Sequence, residues 1–234
     1  MKKTITIICL STLFAVGLHA STTLWNLDFK DLQPGAALTE VPYADGCTGP
    51  QKVTVNDQCP LAGAKAVGTL SPALLYTKEG TAKYTPMFML RGKPQTSGVF
   101  TVSFDITFDR ITAVPDKPVE ALMIFEFVNG DGGFTHGMGI MREGSENLKL
   151  FTISGDKTAK TFKLNDVVHI KAVLDTNQHT FEVFLNDQPL GNAAKDDAKF
   201  SSFWGFKVRD GTAMGGNYGT GFTAGIGNLV ITQD

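Results

Sequence analysis

Apolar and polar side chains alternate most regularly between residues 167 and 187, in the run VVHIKAVLDTNQHTFEVFLND. The apolar positions of this run are Val168, Ile170, Ala172, Leu174, Phe181, Val183 and Leu185. A period of two predicts half-buried β-strands, because successive side chains of a strand point to opposite faces. The polar break at residues 175–177, Asp-Thr-Asn, predicts a turn that joins the two strands into a β-hairpin.

Similar alternation predicts strands along most of the chain. They cover residues 24–29, 65–70, 73–77, 87–91, 99–109, 120–129, 138–143, 147–153, 161–164, 200–208 and 224–232. No apolar pattern of period 3.6 lasts for three turns, and no internal repeat or shift in composition marks a second domain. About a dozen short strands separated by Gly, Pro, Asn and Asp predict an all-β sandwich or barrel.

Two of these strands differ in the faces that they bury. Residues 99–109 alternate strictly, which predicts one face in the core and one face in water. Residues 120–129 are apolar on both faces, which predicts a central strand covered on both sides, with Glu126 interrupting one of the faces. The same parity argument places the indole rings of Trp25 and Trp204 in the core.

The first 20 residues have the features of a secretory signal peptide. Lys2 and Lys3 precede an apolar run from Ile5 to Val16, and Ala20 supplies a small residue for cleavage, although cleavage after residue 17 also fits. A membrane anchor is disfavoured, because the run is shorter than the roughly 20 residues that a span needs. We therefore expect an exported protein, periplasmic or extracellular, whose mature chain begins at residue 21 and contains no membrane span.

The charge of the chain argues against nucleic acid as a partner. The sequence has 21 basic and 23 acidic side chains, for a formal charge of −2, and removing Lys2 and Lys3 makes it −4. A mildly acidic chain without a cluster of Lys and Arg lacks the basic surface that nucleic acids require. Nothing in the sequence indicates an oligomeric state.

Cys47 and Cys59 are the cysteines that remain after the signal peptide is removed. A pair in an exported chain predicts a disulfide. Closing a loop of this length contributes on the order of 3 kcal/mol, less any strain. A metal site is the alternative, and it lacks further Cys or nearby His ligands.

The ends and the middle of the chain resemble the concanavalin A-like lectin/glucanase superfamily, and within it the laminin-G-like domains. Three segments carry the resemblance: the opening strand at residues 25–29, the hairpin at residues 168–187 and the closing strand at residues 225–231. The resemblance implies a two-sheet antiparallel β-sandwich of the jelly-roll type, with residues 21–234 as a single domain. Proteins of this superfamily include polysaccharide-binding and adhesion modules, glycoside hydrolases and polysaccharide lyases.

The acidic motif of the glucanase members is absent. Those enzymes carry carboxylates two residues apart on one strand, about 6.6 Å along a face, for acid and base work on a glycosidic bond. Asp105 and Asp109 are four residues apart, roughly 13 Å, which is too far for a retaining pair. We therefore predict a secreted, non-catalytic, lectin-like module with a glycan ligand. The alternatives are a glycoside hydrolase or polysaccharide lyase of the same fold, and a structural or adhesion module of the cell envelope.

Four residues are candidates for a ligand-binding site: Glu126, His136, Arg142 and Tyr218. Glu126, in the central strand, is a candidate general acid; the alternatives are a carboxylate on an exposed sheet face, or one paired with Arg142 or Lys171. His136, in the glycine-rich loop predicted at residues 130–139, is a candidate base or binding residue, or simply a solvated side chain. Tyr218 lies in a second glycine-rich segment and offers a ring on which a sugar can stack, although ordinary packing explains it equally well.

Calcium is the candidate ion, because laminin-G-like domains often bind it and loop oxygens suit a hard cation. Asp131 and Asp210 are the first candidate ligands, with Asp156 and Asn217 as further ones. The alternative is that all four are ordinary turn residues. No other cofactor is indicated by the sequence.

Overall fold

The structure is a computed structural model that describes residues 21–30, 33–35, 62–78, 87–112, 121–129, 134–153, 158–211 and 221–234. The strands are β1 (Thr22–Leu27), β2 (Ala62–Ala64), β3 (Ala73–Lys78), β4 (Met87–Gln95), β5 (Val99–Thr112), β6 (Ala121–Val128), β7 (Phe134–Glu143), β8 (Asn147–Thr152), β9 (Ala159–Lys163), β10 (Val168–Asp175), β11 (Thr180–Leu185), β12 (Gln188–Pro189), β13 (Ala194–Lys195), β14 (Phe203–Asp210) and β15 (Gly221–Gln233). The predicted signal peptide and both Cys47 and Cys59 lie outside the described residues.

The strands form two antiparallel sheets. A nine-stranded sheet has the order β12-β11-β10-β5-β15-β3-β2, with β1 also paired to β15 and β13 to β11. A six-stranded sheet has the order β4-β14-β6-β7-β8-β9. The predicted all-β, two-sheet antiparallel sandwich is therefore confirmed. In the described part of the chain, no helix is long and apolar enough to pass through a membrane.

The hairpin of β10 and β11 forms as the alternation predicts. Asp175 pairs with Thr180 at its end, and the Asp175 carboxylate accepts hydrogen bonds from the backbone N–H groups of Asn177 and Gln178. All seven alternating apolar side chains are buried. The opening and closing strands also pair, with Leu27 opposite Leu229, so the three segments that carried the resemblance belong to one sheet.

Phenylalanine rings fill the space between the sheets. Phe104 of β5 meets Phe125 of β6 with ring centroids 4.8 Å apart, and Phe127 meets Phe181 at 5.2 Å. Burying each such ring stabilises the fold by roughly 1.5–3 kcal/mol. Trp25 is 1% exposed and packs in this core, as predicted.

Trp204 does not take the core position that strand parity predicts for it. The register of β14 against β4 shifts between Phe203 and Gly205, and a bulge of this kind turns the side chains on either side of it. Phe203 is therefore the buried ring, at 1% exposure, and it stacks on Phe100 with centroids 4.6 Å apart. Trp204 is only partly buried.

A second difference concerns residues 65–70, which we predicted as a strand. The strand ends at Ala64, and Val67 and Leu70 instead form an isolated bridge across a turn. These two side chains pack with Ala73 in a small cluster separate from the main core. Gly225 makes room for them, because a Cβ atom there would lie 2.6 Å from the Val67 Cβ atom.

Candidate functional site

The central strand β6 is buried on both of its faces, as predicted. Met123, Phe125 and Phe127 point towards the nine-stranded sheet and belong to the main core. Ile124 and Val128 point away from it, and they are 0% and 1% exposed although they lie outside that core cluster. We call this second side the outer face of the six-stranded sheet. This face is buried at β6, whereas the Glu143 and Lys149 side chains further along it are 41% and 32% exposed.

Glu126 lies on the outer face between two cationic side chains of β14. Lys207 is directly opposite in register, with its Nζ atom 3.6 Å from Glu126 Oε2. Arg209 donates from Nε to the same oxygen at 2.9 Å and from Nη2 to Oε1. We call these three residues the ionic cluster.

The ionic cluster carries one negative and two positive formal charges. The side chains of Glu126 and Lys207 are each 7% exposed, and that of Arg209 is 18% exposed. Buried charges are tolerated where they are paired and hydrogen-bonded, as they are here. The formal charges of these three side chains alone sum to +1.

A second ionic group lies on the same face, on β7, β8 and β9. Lys149 Nζ contacts the Glu143 carboxylate at 2.5 Å, and the Thr161 hydroxyl donates to its other oxygen at 2.9 Å. These hydrogen bonds, the one from Lys149 first, hold the pKa of Glu143 below its usual value. Lys163 shares this side of the sheet, opposite Asn147 in register.

The described side chains of the outer face carry more positive than negative formal charge. Its described side chains include the four cations Lys149, Lys163, Lys207 and Arg209. Against them stand two carboxylates, Glu126 and Glu143, which leaves a net charge of about +2, whereas the whole chain has a formal charge of −2.

An aromatic ring lies beside this charged area. A Cβ atom at Gly139 would lie 2.3 Å from Phe151 Cζ, so the Phe151 ring rests directly on the glycine backbone of β7. Gly139 pairs with Ile124 on one side and with Phe151 on the other. Phe151 is 9% exposed and, like Ile124, lies outside the main core cluster.

His136 is on the opposite face from Glu126. It pairs with Phe127, and its ring points inwards, 3.6 Å from the Phe200 centroid and 5.9 Å from that of Phe181. Burial, and then the charge of Lys199, lower the pKa of His136 to about 3. The imidazole is therefore neutral at ordinary pH and lies in the apolar interior.

Arg142 is also distant from Glu126. Its Nε atom donates to the carbonyl of Gly144 at 2.5 Å, in the turn after β7. Gly137 is the residue of β7 that faces Glu126, and Arg142 is five positions further along, roughly 17 Å away. The structure thus does not bring Glu126, His136 and Arg142 together.

The partners of Glu126 are residues that the sequence analysis did not consider. Arg142 contacts the β7–β8 turn, and Lys171 lies in the other sheet, where it contacts Asp187 at 3.7 Å. The sequence signal that could have identified these partners was the alternation of apolar and charged residues in β14. Phe206 and Val208 predict the inner face, so Lys207 and Arg209 had to point outwards together.

The structure does not describe the side chains of the remaining candidate ligand-binding and calcium-binding residues. Tyr218, Asp131, Asp156 and Asn217 lie outside the described residues, and only the backbone of Asp210, the last residue of β14, is described. Within the described ranges, no three His, Cys, Asp or Glu side chains are grouped as metal ligands would be.

A polar group on the other sheet is unrelated to this site. His169 Nδ1 lies 2.8 Å from Asp105 Oδ1, and Asn228 donates to the second oxygen of that carboxylate at 2.7 Å. Asn186 accepts from the His169 backbone N–H. These contacts join β5, β10 and β15 on the far side of the nine-stranded sheet, and they satisfy the Asp105 carboxylate internally.

Comparisons with known proteins connect the fold to polysaccharide enzymes. No protein-family model matches the sequence, and no curated protein matches it. Among solved structures, the chain is similar to a marine alginate lyase of polysaccharide lyase family 7 from Zobellia galactanivorans, with a TM-score of 0.52 and 18% identity over 91% of this chain and 95% of that one. A second family 7 alginate lyase matches with a TM-score of 0.50 and 16% identity, over 83% of this chain and 88% of that one.

The chain has a concanavalin A-like jelly-roll fold. This confirms the jelly-roll fold that the resemblance of the three segments implied. A sialidase shares the fold as well, with a TM-score of 0.53 and 12% identity over 77% of this chain. The chain spans only 16% of the length of that sialidase, so the similarity concerns one part of a larger protein.

These similarities contradict our prediction of a non-catalytic, lectin-like module. Two of the three solved structures described above are alginate lyases, and they favour the alternative, a polysaccharide-degrading enzyme. The prediction was wrong because it rested on one missing motif, the closely spaced carboxylates of the glucanases. That motif serves hydrolysis, and its absence is no argument against a lyase.

Proposed function

We propose that the protein degrades an acidic polysaccharide by β-elimination. The observation that carries the proposal is the ionic cluster, in which two cationic side chains, Lys207 and Arg209, meet the Glu126 carboxylate on the outer face of the sheet. The similarity to family 7 alginate lyases supports the substrate class, since alginate is an acidic polysaccharide.

The charge of the cluster suits elimination. In this reaction a base removes the proton next to the sugar carboxylate, a carbon–carbon double bond forms, and the glycosidic C–O bond breaks with a proton going to the leaving oxygen. Negative charge develops on the carboxylate side of the sugar as the proton leaves. Fixed cations and N–H donors in a shielded site stabilise such charge more strongly than they would in water.

The same cluster argues against a glycoside hydrolase, the second candidate. Hydrolysis passes through a positively charged, oxocarbenium-like state and uses two carboxyl groups about 5–9.5 Å apart. Glu126 and Glu143 are the carboxylates on the outer face in the described strands, and six positions of β7 place them roughly 20 Å apart. Each is also engaged by cations, Glu126 by Lys207 and Arg209, and Glu143 by Lys149.

The location that we predicted from the sequence agrees with this activity. We propose that residues 1–20 direct export and are removed, so that residues 21–234 meet the polysaccharide outside the cytoplasm as a single domain. A positive surface on an acidic protein raises the local concentration of an anionic polymer and weakens as salt is added.

The test is an activity assay of the mature chain on acidic and neutral polysaccharides. On alginate or another polyuronate, we expect an unsaturated sugar that absorbs in the ultraviolet, together with new reducing ends, because both are products of elimination. New reducing ends without the ultraviolet band would show a hydrolase instead. No product from any acidic polysaccharide would overturn the proposal.

A further inference from the structure

Phe200 is the buried anchor of a turn that is otherwise largely exposed. Residues 191–199 are exposed or half-buried, whereas Phe200 is 0% exposed and belongs to the main core. The backbone N–H of Phe200 donates to the carbonyl of Asp196 at 3.0 Å, and the Asp196 carboxylate accepts from two backbone N–H groups within the turn. We call this segment the 194–200 turn.

Short pairings connect the 194–200 turn to the rest of the chain. The two residues of β13 pair with β11, and the N–H of Asp196 donates to the carbonyl of His179 at 3.1 Å. A segment with little buried apolar area and short pairings opens more readily than the strands of a core. The burial of the Phe200 ring is therefore important for holding the turn in place.

The Phe200 ring packs on His136 of β7. The two ring centroids are 3.6 Å apart, and Phe181 stacks on Phe200 at 5.9 Å. The backbone of Lys199 makes a hydrogen bond with the same imidazole. His136 is 3% exposed, so the turn closes over its ring, and movement of the turn would expose that ring to water.

The surroundings of the imidazole favour its neutral form. Phe127, opposite in register, and Phe181 are uncharged, and the turn adds the charges of Lys199 and Asp196. Burial, followed by the charge of Lys199, lowers the pKa of His136 to about 3, and Asp196 opposes this shift. An imidazole in water has a pKa near 6.5, so acid favours the state in which the turn has moved away.

We propose that the 194–200 turn is a latch, which is closed while His136 is neutral and opens locally when this imidazole takes up a proton. Opening is local because the turn can leave without breaking the pairing of β7 with β6 and β8. The chain then continues into β14, the strand of Lys207 and Arg209, so release also frees the start of that strand. The latch stands on the packing around His136 and does not depend on the proposed function.

Hydrogen exchange of single backbone amides, measured between about pH 7.5 and 4.5, tests the latch. Each rate is divided by the intrinsic rate at the same pH, which gives a protection factor. The Phe200 and Asp196 amides should lose about a hundredfold of protection, because opening becomes tenfold more favourable per pH unit below about 6.5. The Asp196 carboxylate stays ionised over this range, since the backbone hydrogen bond from Lys199 lowers its pKa below 3.8.

The β10–β11 turn is an internal control. The amides of Asn177 and Gln178 donate to the carboxylate of Asp175, in the same way as two amides of the 194–200 turn donate to Asp196. Their protection should change little with pH, because opening of this turn does not uncover His136.

Two variants separate His136 from the other histidine beside the turn. His136→Leu keeps an apolar contact for Phe200 and should abolish the pH dependence of its amide. His179→Asn removes the second titratable ring and should keep the wild-type dependence, since asparagine tolerates the φ of 53° at this position. Circular dichroism at each pH checks folding, and His136→Gln, which is also neutral throughout, replaces His136→Leu if that variant does not fold.

Three results would overturn the latch. The first is equal protection of the Phe200 amide and the amides of β5 at low pH, since the turn would then open only with the whole fold. The second is a pH dependence that persists in the folded His136 variant. The third is a Phe200 amide that is unprotected at pH values near 7.5, because the turn would then already be open with a neutral imidazole.

Discussion

Glu126 and His136 lie on neighbouring strands of one sheet but point to opposite faces of it. Glu126 faces the ionic cluster on the outer face, whereas His136, opposite Phe127, points into the aromatic interior. A distance in sequence of ten residues gives no hint of this separation. The two side chains cannot act on one bond, and each has a separate physical consequence.

For His136 the consequence is a pH dependence of stability. Its pKa is about 3 in the folded chain, against an ordinary value of 6.5. Between these two pH values the unfolded chain binds a proton that the folded chain does not. The stability that neutral His136 contributes is therefore fully present above about pH 6.5 and is lost as the pH falls towards 3. The slope from this group approaches 1.4 kcal/mol per pH unit, roughly, below the unfolded pKa.

His136→Leu should remove that slope, because leucine has no proton to gain. Urea unfolding at several pH values between about 7 and 5 measures the free energy of unfolding for both chains. The wild-type curve should fall relative to the variant curve as the pH decreases. Parallel curves would show that His136 is not buried in its neutral form.

Phe203 and Trp204 should differ in their effect on stability. Phe203 stacks on Phe100 and meets Trp25 edge-on with centroids 6.4 Å apart, and Phe203→Ala should cost about 3–5 kcal/mol. Trp204 is only partly buried, so Trp204→Ala should cost about 1 kcal/mol. Denaturant midpoints of the two variants give the comparison, and the reverse order would show that the bulge in β14 is misplaced.

Gly139 should tolerate a side chain only if Phe151 is made smaller. Gly139→Ala would place its methyl group against the Phe151 ring, with a cost of about 1–3 kcal/mol for the forced movement. In a Phe151→Ala background the same substitution should cost much less, and this non-additivity is the expected result. Thermal unfolding of the two single variants and the double variant measures it, and additive effects would count against the contact.

Cys47 and Cys59 should form a disulfide in the exported protein, as their number and location predict. Intact mass measured with and without a reductant checks this, and the unreduced chain should be lighter by two hydrogen atoms. Cys47→Ser/Cys59→Ser should unfold more easily by about 2–4 kcal/mol. Two free thiols in the exported chain would rule out the bond.

The sequence by itself determined the local features of the fold. Alternation in β5, β10 and β11 identified each strand and its inner face, because the period of two is a property of the extended backbone and needs no partner. It failed at Trp204, where a bulge shifts the parity, and at residues 65–70, where two apolar side chains cover a turn instead of lining a strand.

The tertiary structure alone decided the candidate site. Glu126 and Arg209 are 83 positions apart in sequence, and they meet only because β6 and β14 are neighbours in one sheet. Strand order and register depend on how the two sheets close around the common core, which no single stretch of sequence specifies. The pairing of Glu126 with cations, and the inward direction of His136, follow from that closure.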